Sequence, residues 1–438
     1  MTGSRRPAWT ADSRGLPTSV RPDIVVTGIG LVTPVGQDLD DIFDALCTGR
    51  SGIVATPEGH SAQGSLEVMG KGPDIEAASV LPGPEARTLD RYIVHALVAA
   101  AQAMADADLV VGRDVDPYRA ATVVSGTGGL ATLEAQVITR TQKGRLGVSP
   151  YLLPGMLPNM ATARIAIKYD LRGYSSSIGT ACAAGAQSIA EGMRILRNDE
   201  ADVVLVGCGE APLFPTLADT FGNTRALAKG WADDPAAASR PFDSRRNGLV
   251  LAEGAGVFVL ERAADADARG RPAYATLHGW GATTDAHHPT TPRPDGAGQA
   301  ECMRRALADA GLSPADIGYL NAHATSTKLG DVAESLAVNT VFASAMPPVS
   351  SNKAVTGHML GASGVIEAAA TIMALGHGLL PPTVNLDDPD PACDLDHIRG
   401  KARQSPIGFA LSNSFGFGGH NVSLVLGRPT TSLSRFTE

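Results

Sequence analysis

The chain has no basic excess, no long apolar run and no cysteine framework, and each lack narrows what it does. Its 438 residues carry 36 Lys and Arg against 45 Asp and Glu, a formal net charge of −9. Phosphate binding normally calls for a basic face, so nucleic acid is excluded as a partner. An acidic protein docking on a local basic patch is not excluded, and Arg225, Lys229, Arg245 and Arg246 are candidates for such a patch. No apolar stretch reaches the roughly 18 residues of a membrane span. The five cysteines, at 47, 182, 208, 302 and 393, are odd in number and irregularly spaced. That excludes a disulfide framework or a zinc site and fits a reducing cytoplasm. Residues 1–21 hold arginines but no apolar core, so they read as a flexible tail and not as a secretory signal. Residues 429–438 read as a second tail. Linkers rich in Pro, Ser or charge are missing in between, so any division is between closely packed halves.

What is present alternates strand and helix. DIVVTGIGLVTPVG (23–36) is a buried strand entering a glycine turn, and LDDIFDALCTG (39–49) has helical spacing and a glycine stop. The stretch TLDRYIVHALVAAAQAMADADL is a long helix, while AATVVSGTGGL, ADVVLVGCGEA and GAGVFVLE are short buried strands. This order predicts an α/β architecture with mostly buried sheets. Residues 131–170, containing SPYLLPGMLPNMATARIAI, break the rhythm and read as an insertion over a site or an interface. Setting Cys182 against His358 aligns Gly185 with Gly361, Ala186 with Ala362 and Glu191 with Glu367. The coincidence suggests a duplicated unit with a polar reactive residue at the same helix start in each half.

Four stretches carry candidate chemistry. SSSIGTACAAGAQSIAEGMRIL (175–196) puts Cys182 at a helix start, with no ion-forming neighbour for several residues on either side. It is either a small buried apolar residue or a nucleophile whose thiolate the helix N-terminus favours. In NAHATSTKLGDVAE (321–334), His323 follows an apolar strand, as catalytic groups in α/β sheets often do, or is a satisfied core histidine. Thr325, Ser326 and Thr327 beside it form a polar turn or bind an amide-containing ligand. In SSNKAVTGHMLGASG (350–364), Lys353 precedes His358 by five residues; if buried it needs a counter-charge, for which Glu334 is a candidate. ALSNSFGFGGHNVSLVL (410–426) is a strand, a glycine-rich turn and a strand, whose turn is a plain hairpin or an oxyanion-binding backbone.

Taken together and in this order, these stretches resemble the elongating β-ketoacyl-acyl carrier protein synthases of the thiolase superfamily. The resemblance runs from about residue 23 to 428 and includes VVTGIGLVTPVG, GTACAAG, SRPFDSRRNGLVLAEGAGVFVLE, NAHATST, NKAVTGH and NSFGFGG. It implies an α/β duplicated thiolase-like fold in five layers, α-β-α-β-α. Residues 22–270 would form the N-terminal half with the nucleophile, and residues 271–428 the C-terminal half with His323, Lys353 and His358. It further implies a cytoplasmic homodimer, a heterodimer being the alternative, with no cofactor and no metal. The substrates would arrive on the phosphopantetheine of acyl carrier protein.

Carried over residue by residue, the resemblance makes Cys182 the acylated nucleophile, activated largely by its helix. His323 and His358 would assist malonyl decarboxylation by hydrogen-bonding the thioester carbonyl. Lys353, paired with Glu334, would hold the local electrostatics. The amides of Cys182 and Phe417 would form the oxyanion hole, with Phe417 also a gate. Thr325 and Thr327 would hold the pantetheine arm, and Phe415 and Thr127 would meet the substrate. The chain departs from the family pattern at His420, where Thr is usual, at Lys328, where Pro is usual, and at Ala324, where Gly is usual. Thr127 stands where a larger apolar residue is common, so acyl-chain preference stays open. A thiolase would need a second cysteine in the last glycine turn, and SFGFGGHN has none. The initiating synthases place an asparagine where His358 stands. A non-catalytic chain-length-factor-like subunit would lack the nucleophile. A ketosynthase extending a polyketide or polyene remains the alternative to fatty-acid elongation.

Overall fold

The computed structural model describes residues 21–436. The tail assigned to residues 1–21 falls, apart from Arg21, outside the described residues, as do the last two residues of the chain. Ten strands form one central sheet: β1 (Ile24–Val32), β2 (Ala120–Ser125), β3 (Ser175–Ser176), β4 (Val203–Glu210), β5 (Gly254–Arg262), β6 (Ala275–Thr284), β7 (Ile317–Asn321), β8 (Val349–Ser350), β9 (Phe409–Gly416) and β10 (His420–Gly427). Their order is β8-β7-β9-β10-β6-β1-β5-β4-β2-β3. Read outward from the middle, the halves are β1-β5-β4-β2-β3 and β6-β10-β9-β7-β8. Each has two antiparallel junctions followed by two parallel ones. The identical sequence of junctions makes the duplication explicit. The halves join where Ile24–Val26 of β1 pair with Ala275–Leu277 of β6.

The helices that flank this sheet are α1 (Arg91–Asp106), α2 (Leu130–Lys143), α3 (Met160–Tyr169), α4 (Ala184–Arg197), α5 (Pro215–Asn223), α6 (Ala297–Ala310), α7 (Lys328–Phe342) and α8 (Ser363–His377). Helices α1 and α3 cover the outside of the first half, and α6, backed by α7, covers the second. Helices α4 and α8 are sandwiched between the halves, against β4 and β5 on one side and β9 and β10 on the other. This is the five-layer α-β-α-β-α arrangement. Small residues set its spacing. A Cβ on Gly28, Gly30, Gly279 or Gly281 would fall 1.9–2.7 Å from a backbone oxygen of α1 or α6. The paired Gly-x-Gly of β1 and β6 therefore let a helix lie directly on each strand.

Helix α8 is apolar almost all round, as a helix enclosed between two sheets must be. Residues 360–377 have a mean hydropathy of 1.2, and 89% of them are buried inside the protein. This apolar helix is core.

The C-terminal stretch is packed where the sequence suggested a tail. The Ala273 amide donates to the Leu433 carbonyl, the Arg435 guanidinium pairs with Asp106 at 2.9 Å, and the Phe436 ring sits 5.2 Å from that of His377. The insertion at 131–170 forms most of α2 and α3. No side chain of α2 is buried, and Val137, Ile138, Leu146, Leu153 and Ile167 are exposed, Leu146 to 89%. None of its residues lines the cavity at the centre of the molecule.

Candidate functional site

The two inner helices begin alike. Residues Ala181–Ala183 and Leu360–Ala362 are single 3₁₀ turns running into α4 and α8, and each opens on a left-handed residue, Ala181 (φ 48°) and Leu360 (φ 44°). The structural equivalence therefore pairs Cys182 with Gly361 and Gly185 with Gly364. The sequence alignment of Cys182 with His358 is out by part of a turn, because runs of Ala and Gly align about as well at several offsets. Both turns meet at the middle of the molecule: a Cβ on Gly185 would lie 2.4 Å from the Gly361 carbonyl oxygen.

Cys182 sits buried at the first of these turns, and His358, just ahead of the second, brings Nε2 to 3.1 Å from its Sγ. The β9–β10 turn closes the other side. The Cys182 and Phe417 amides are the backbone donors that favour charge on the sulfur. Gly416 is where backbone approaches backbone, since a Cβ there would stand 2.6 Å from the Thr180 oxygen and 3.0 Å from the Cys182 nitrogen. Gly418 and Gly419 complete the turn in left-handed conformations. The Phe417 ring is 40% exposed and stacks 6.0 Å from Phe221 of α5.

The hydrogen-bond network assigns the tautomer of His323 and is compatible with the same tautomer at His358. Lys353 Nζ lies 3.5 Å from His323 Nδ1, and an ammonium can only donate, so the ring proton of His323 is on Nε2. The Ser363 hydroxyl accepts the Met359 amide and lies 3.3 Å from His358 Nδ1, so it can give its own proton to that nitrogen, and the tautomer with the ring proton on Nε2 fits this partner. Burial, followed by the Lys353 charge, holds both imidazoles well below the usual histidine range. Two neutral rings, 5.4 Å apart and at 85° to one another, thus turn N–H donors into one cavity. That arrangement suits an oxygen on which negative charge develops.

Lys353 is buried, and its partner is Glu367 of α8, not Glu334. Glu334 instead accepts the amides of His323 (2.9 Å) and Ala324 (2.7 Å) and the side chain of Asn413 (3.1 Å). It braces the strand end that presents His323. Glu367 had a readable signal, being the lone acid in the apolar run SGVIEAAATIMAL. What its periodicity could not reveal is which cation faces it. The helix start does not lower the Cys182 thiol as expected. Burial, then the Glu210 carboxylate, push it up to about 12, against the opposing pull of Lys353 and the two amides. The thiol rests protonated, and the surrounding donors act on sulfur charge only as it forms.

A cavity of about 300 Å³ leads from Cys182, His323 and His358 past Phe415 to Thr325 and Thr327. The two threonine hydroxyls are 3.1 Å apart. Thr127 is not part of this cavity. Its hydroxyl and amide bind Glu210, at 3.0 and 3.2 Å, so the position expected to meet the acyl chain anchors a buried carboxylate behind the nucleophile. Of the basic candidates, Arg225 and Lys229 are exposed, and Arg225 is flanked by the cavity-lining Thr224 and Ala226. Arg245 is tied to Asp387, and Arg246 is fully buried.

Comparison with known proteins gives a consistent answer. Residues 21–266 match the model of the beta-ketoacyl synthase N-terminal domain and residues 274–387 that of the C-terminal domain. The chain is 41% identical over 403 residues to a 3-oxoacyl-[acyl-carrier-protein] synthase 2 of Synechocystis, covering 92% of this chain and 97% of that one. It is 37% identical over 407 residues to the protein of that name from Coxiella burnetii, covering 92% and 98%. Among solved structures, a beta-ketoacyl synthase from Burkholderia phymatum superposes with a TM-score of 0.87 at 33% identity, over 93% of this chain and 100% of that one. A ketosynthase from a complex with its type II polyketide acyl-carrier protein superposes at 0.86 with 31% identity, over 93% and 99%.

Proposed function

The chain belongs to the β-ketoacyl synthase family, and on that premise we propose that it is a 3-oxoacyl-[acyl-carrier-protein] synthase of fatty-acid elongation. The observation that carries the proposal is the meeting of Cys182 from one half with His358 from the other at 3.1 Å, beside His323 and the buried Lys353. In the first step the Cys182 sulfur attacks the thioester carbonyl of an acyl-carrier protein. The Cys182 and Phe417 amides receive the oxyanion, and the carrier thiol leaves with the proton. In the second, malonyl-carrier protein loses CO₂, and the N–H groups of His323 and His358 stabilise the enolate oxygen. The enolate carbon then attacks the acyl-Cys182 carbonyl, releasing the thiolate and a 3-oxoacyl thioester two carbons longer. Lys353 holds His323 in its donor tautomer and adds to the effect of burial in keeping both rings neutral. The carrier's phosphopantetheine arm brings both substrates along the Thr325–Thr327 side of the cavity, and no metal or protein-bound cofactor enters the reaction.

The exposed apolar row of α2 and its neighbours, next to the unpaired edge of β3, supports a homodimer built across that face. All five cysteines are free thiols, which supports a place in the reducing cytoplasm. Extension of a polyketide would use the same reacting groups. The curated relatives at 37–41% identity support fatty-acid elongation. Incubation with acyl-carrier protein is expected to leave one acyl group on Cys182 by peptide mass spectrometry, and malonyl-carrier protein should then discharge it as a 3-oxoacyl product. Acylation of Cys208 or Cys302, or several extension rounds without reduction, would contradict the reading.

A further inference from the structure

A buried ion network joins the two halves beside the cavity, and the reaction proposed above does not use it. It is built on the stretch SRPFDSRRNG, residues 239–248. Arg246 is only 1% exposed; its Nη1 pairs with Asp390 at 2.8 Å and its Nε lies 3.4 Å from Asp331. The same guanidinium donates to the carbonyls of Thr327 (3.3 Å), Lys328 (3.1 Å) and Asp243 (3.0 Å). Asp331 in turn accepts the Phe242 amide at 2.9 Å, and its own amide donates to the Thr327 carbonyl at 3.2 Å. Ser326 itself is held twice, its hydroxyl by the Arg240 amide at 3.0 Å and its carbonyl by the Gly248 amide at 3.2 Å.

The bonds to Ser326, Thr327 and Lys328 converge on the segment 325–328, which comes between the end of β7 and the body of α7. Ser326 is left-handed, at φ 70°, a conformation a non-glycine residue keeps only when its surroundings impose it. The planar fork of arginine reaches three carbonyls and two carboxylates at once, which the single ammonium of lysine cannot. We propose that Arg246, acting with Asp331, is a positioning residue for the carrier's arm. It holds the strained 325–328 turn so that the Thr325 and Thr327 hydroxyls face the cavity. The proposal rests on the reading of Thr325 and Thr327 as the arm's contacts.

The test compares two acyl donors, acyl-carrier protein and the S-phenyl thioester of the same acyl group, which has no pantetheine. In Arg246→Lys the KM for acyl-carrier protein should rise about tenfold, as expected for losing a charge-assisted hydrogen bond. Acylation of Cys182 by the phenyl thioester should stay within about twofold of the unmodified protein. Combined with Thr325→Ala and Thr327→Ala, the Arg246→Lys change should add no further loss, because it acts only through those side chains. Asp390→Asn, at the solvent side of the network, should shift the KM in the same direction by less, and it serves if Arg246→Lys does not fold. Equal losses with both donors, additive losses, or a normal KM in a folded variant would overturn the assignment. If the unmodified protein takes acyl groups from the phenyl thioester but not from carrier protein, the reading of the arm itself fails, independently of Arg246.

Discussion

The turn at Ala181–Ala183 and the turn at Leu360–Ala362 have the same backbone, and they do opposite jobs. The first exposes a sulfur to a cavity. The second carries Gly361 at the equivalent position, because a Cβ there would sit 2.8 Å from the Cys208 sulfur, 3.0 Å from Glu210 Oε1 and 3.1 Å from the Ala181 oxygen. Six residues farther along the helices the contrast repeats. Ser188 exchanges a neutral hydrogen bond with Ser125 at 2.7 Å, while Glu367 in the equivalent place pairs with the buried Lys353. Duplication supplied two equal helix starts. The nucleophile went to one, and the charges and donors that steer the reaction went to the other. Reaction is possible only where the halves meet.

Five tests sharpen or break that division. Cys182→Ala should abolish condensation, a loss of at least about a thousandfold, while leaving malonyl decarboxylation measurable as released CO₂. Because alanine fits the same turn, its melting temperature should move little. If decarboxylation disappears with the sulfur, the donors of the second half do not act on their own.

Glu367→Gln should destabilise the fold by about 3–5 kcal/mol in a denaturant titration, since it leaves a buried ammonium without its counter-charge. Its equivalent in the first half, Ser188→Ala, removes two neutral bonds, to Ser125 and to the Ala184 carbonyl of its own helix, and should cost about 1–2 kcal/mol. Similar losses at the two positions would show that Lys353 does not depend on Glu367.

His323→Ala should slow decarboxylation by roughly a hundredfold, the scale of removing one oxyanion donor, with acylation of Cys182 intact. His358→Ala should show the same decarboxylation defect and, because its Nε2 touches the sulfur, a slower acylation as well. Identical behaviour of the two variants in single-turnover acylation would remove the distinction drawn from the 3.1 Å contact.

Gly361→Ala should cost about 1–3 kcal/mol by overpacking and lower the melting temperature. The thiol offers the last test. With its pKa pushed up to about 12 by burial, only the rare thiolate reacts at neutral pH. Iodoacetamide alkylation of Cys182 should therefore climb about tenfold per pH unit between about pH 7 and 9. A plateau near neutrality would mean that the helix start outweighs burial after all.

The residues that carry chemistry were legible because they sit in short, chemically odd stretches: a cysteine among alanines, a histidine at a strand end, three glycines around a phenylalanine. The alternation of strand and helix, and the existence of two halves, could be read for a similar reason. Local pattern and steric need, such as Gly28-x-Gly30 under α1, are written in neighbouring residues. Pairings across the fold were not legible. Glu334 and Glu367 are both buried acids in C-terminal helices, and sequence offers no way to say which one faces Lys353. Thr127 reads as an acyl contact until Glu210 is seen behind it. Arg246 reads as a surface cation until it proves 1% exposed. The sign of the thiol's shift also escaped, because a helix start is a local feature whereas burial is the sum of everything packed around it. By itself the sequence determined which groups could react and the two-fold plan that holds them. Only the tertiary structure decided their partners, tautomers and protonation, because those depend on distances between residues far apart in the chain and on the exclusion of water where the halves close.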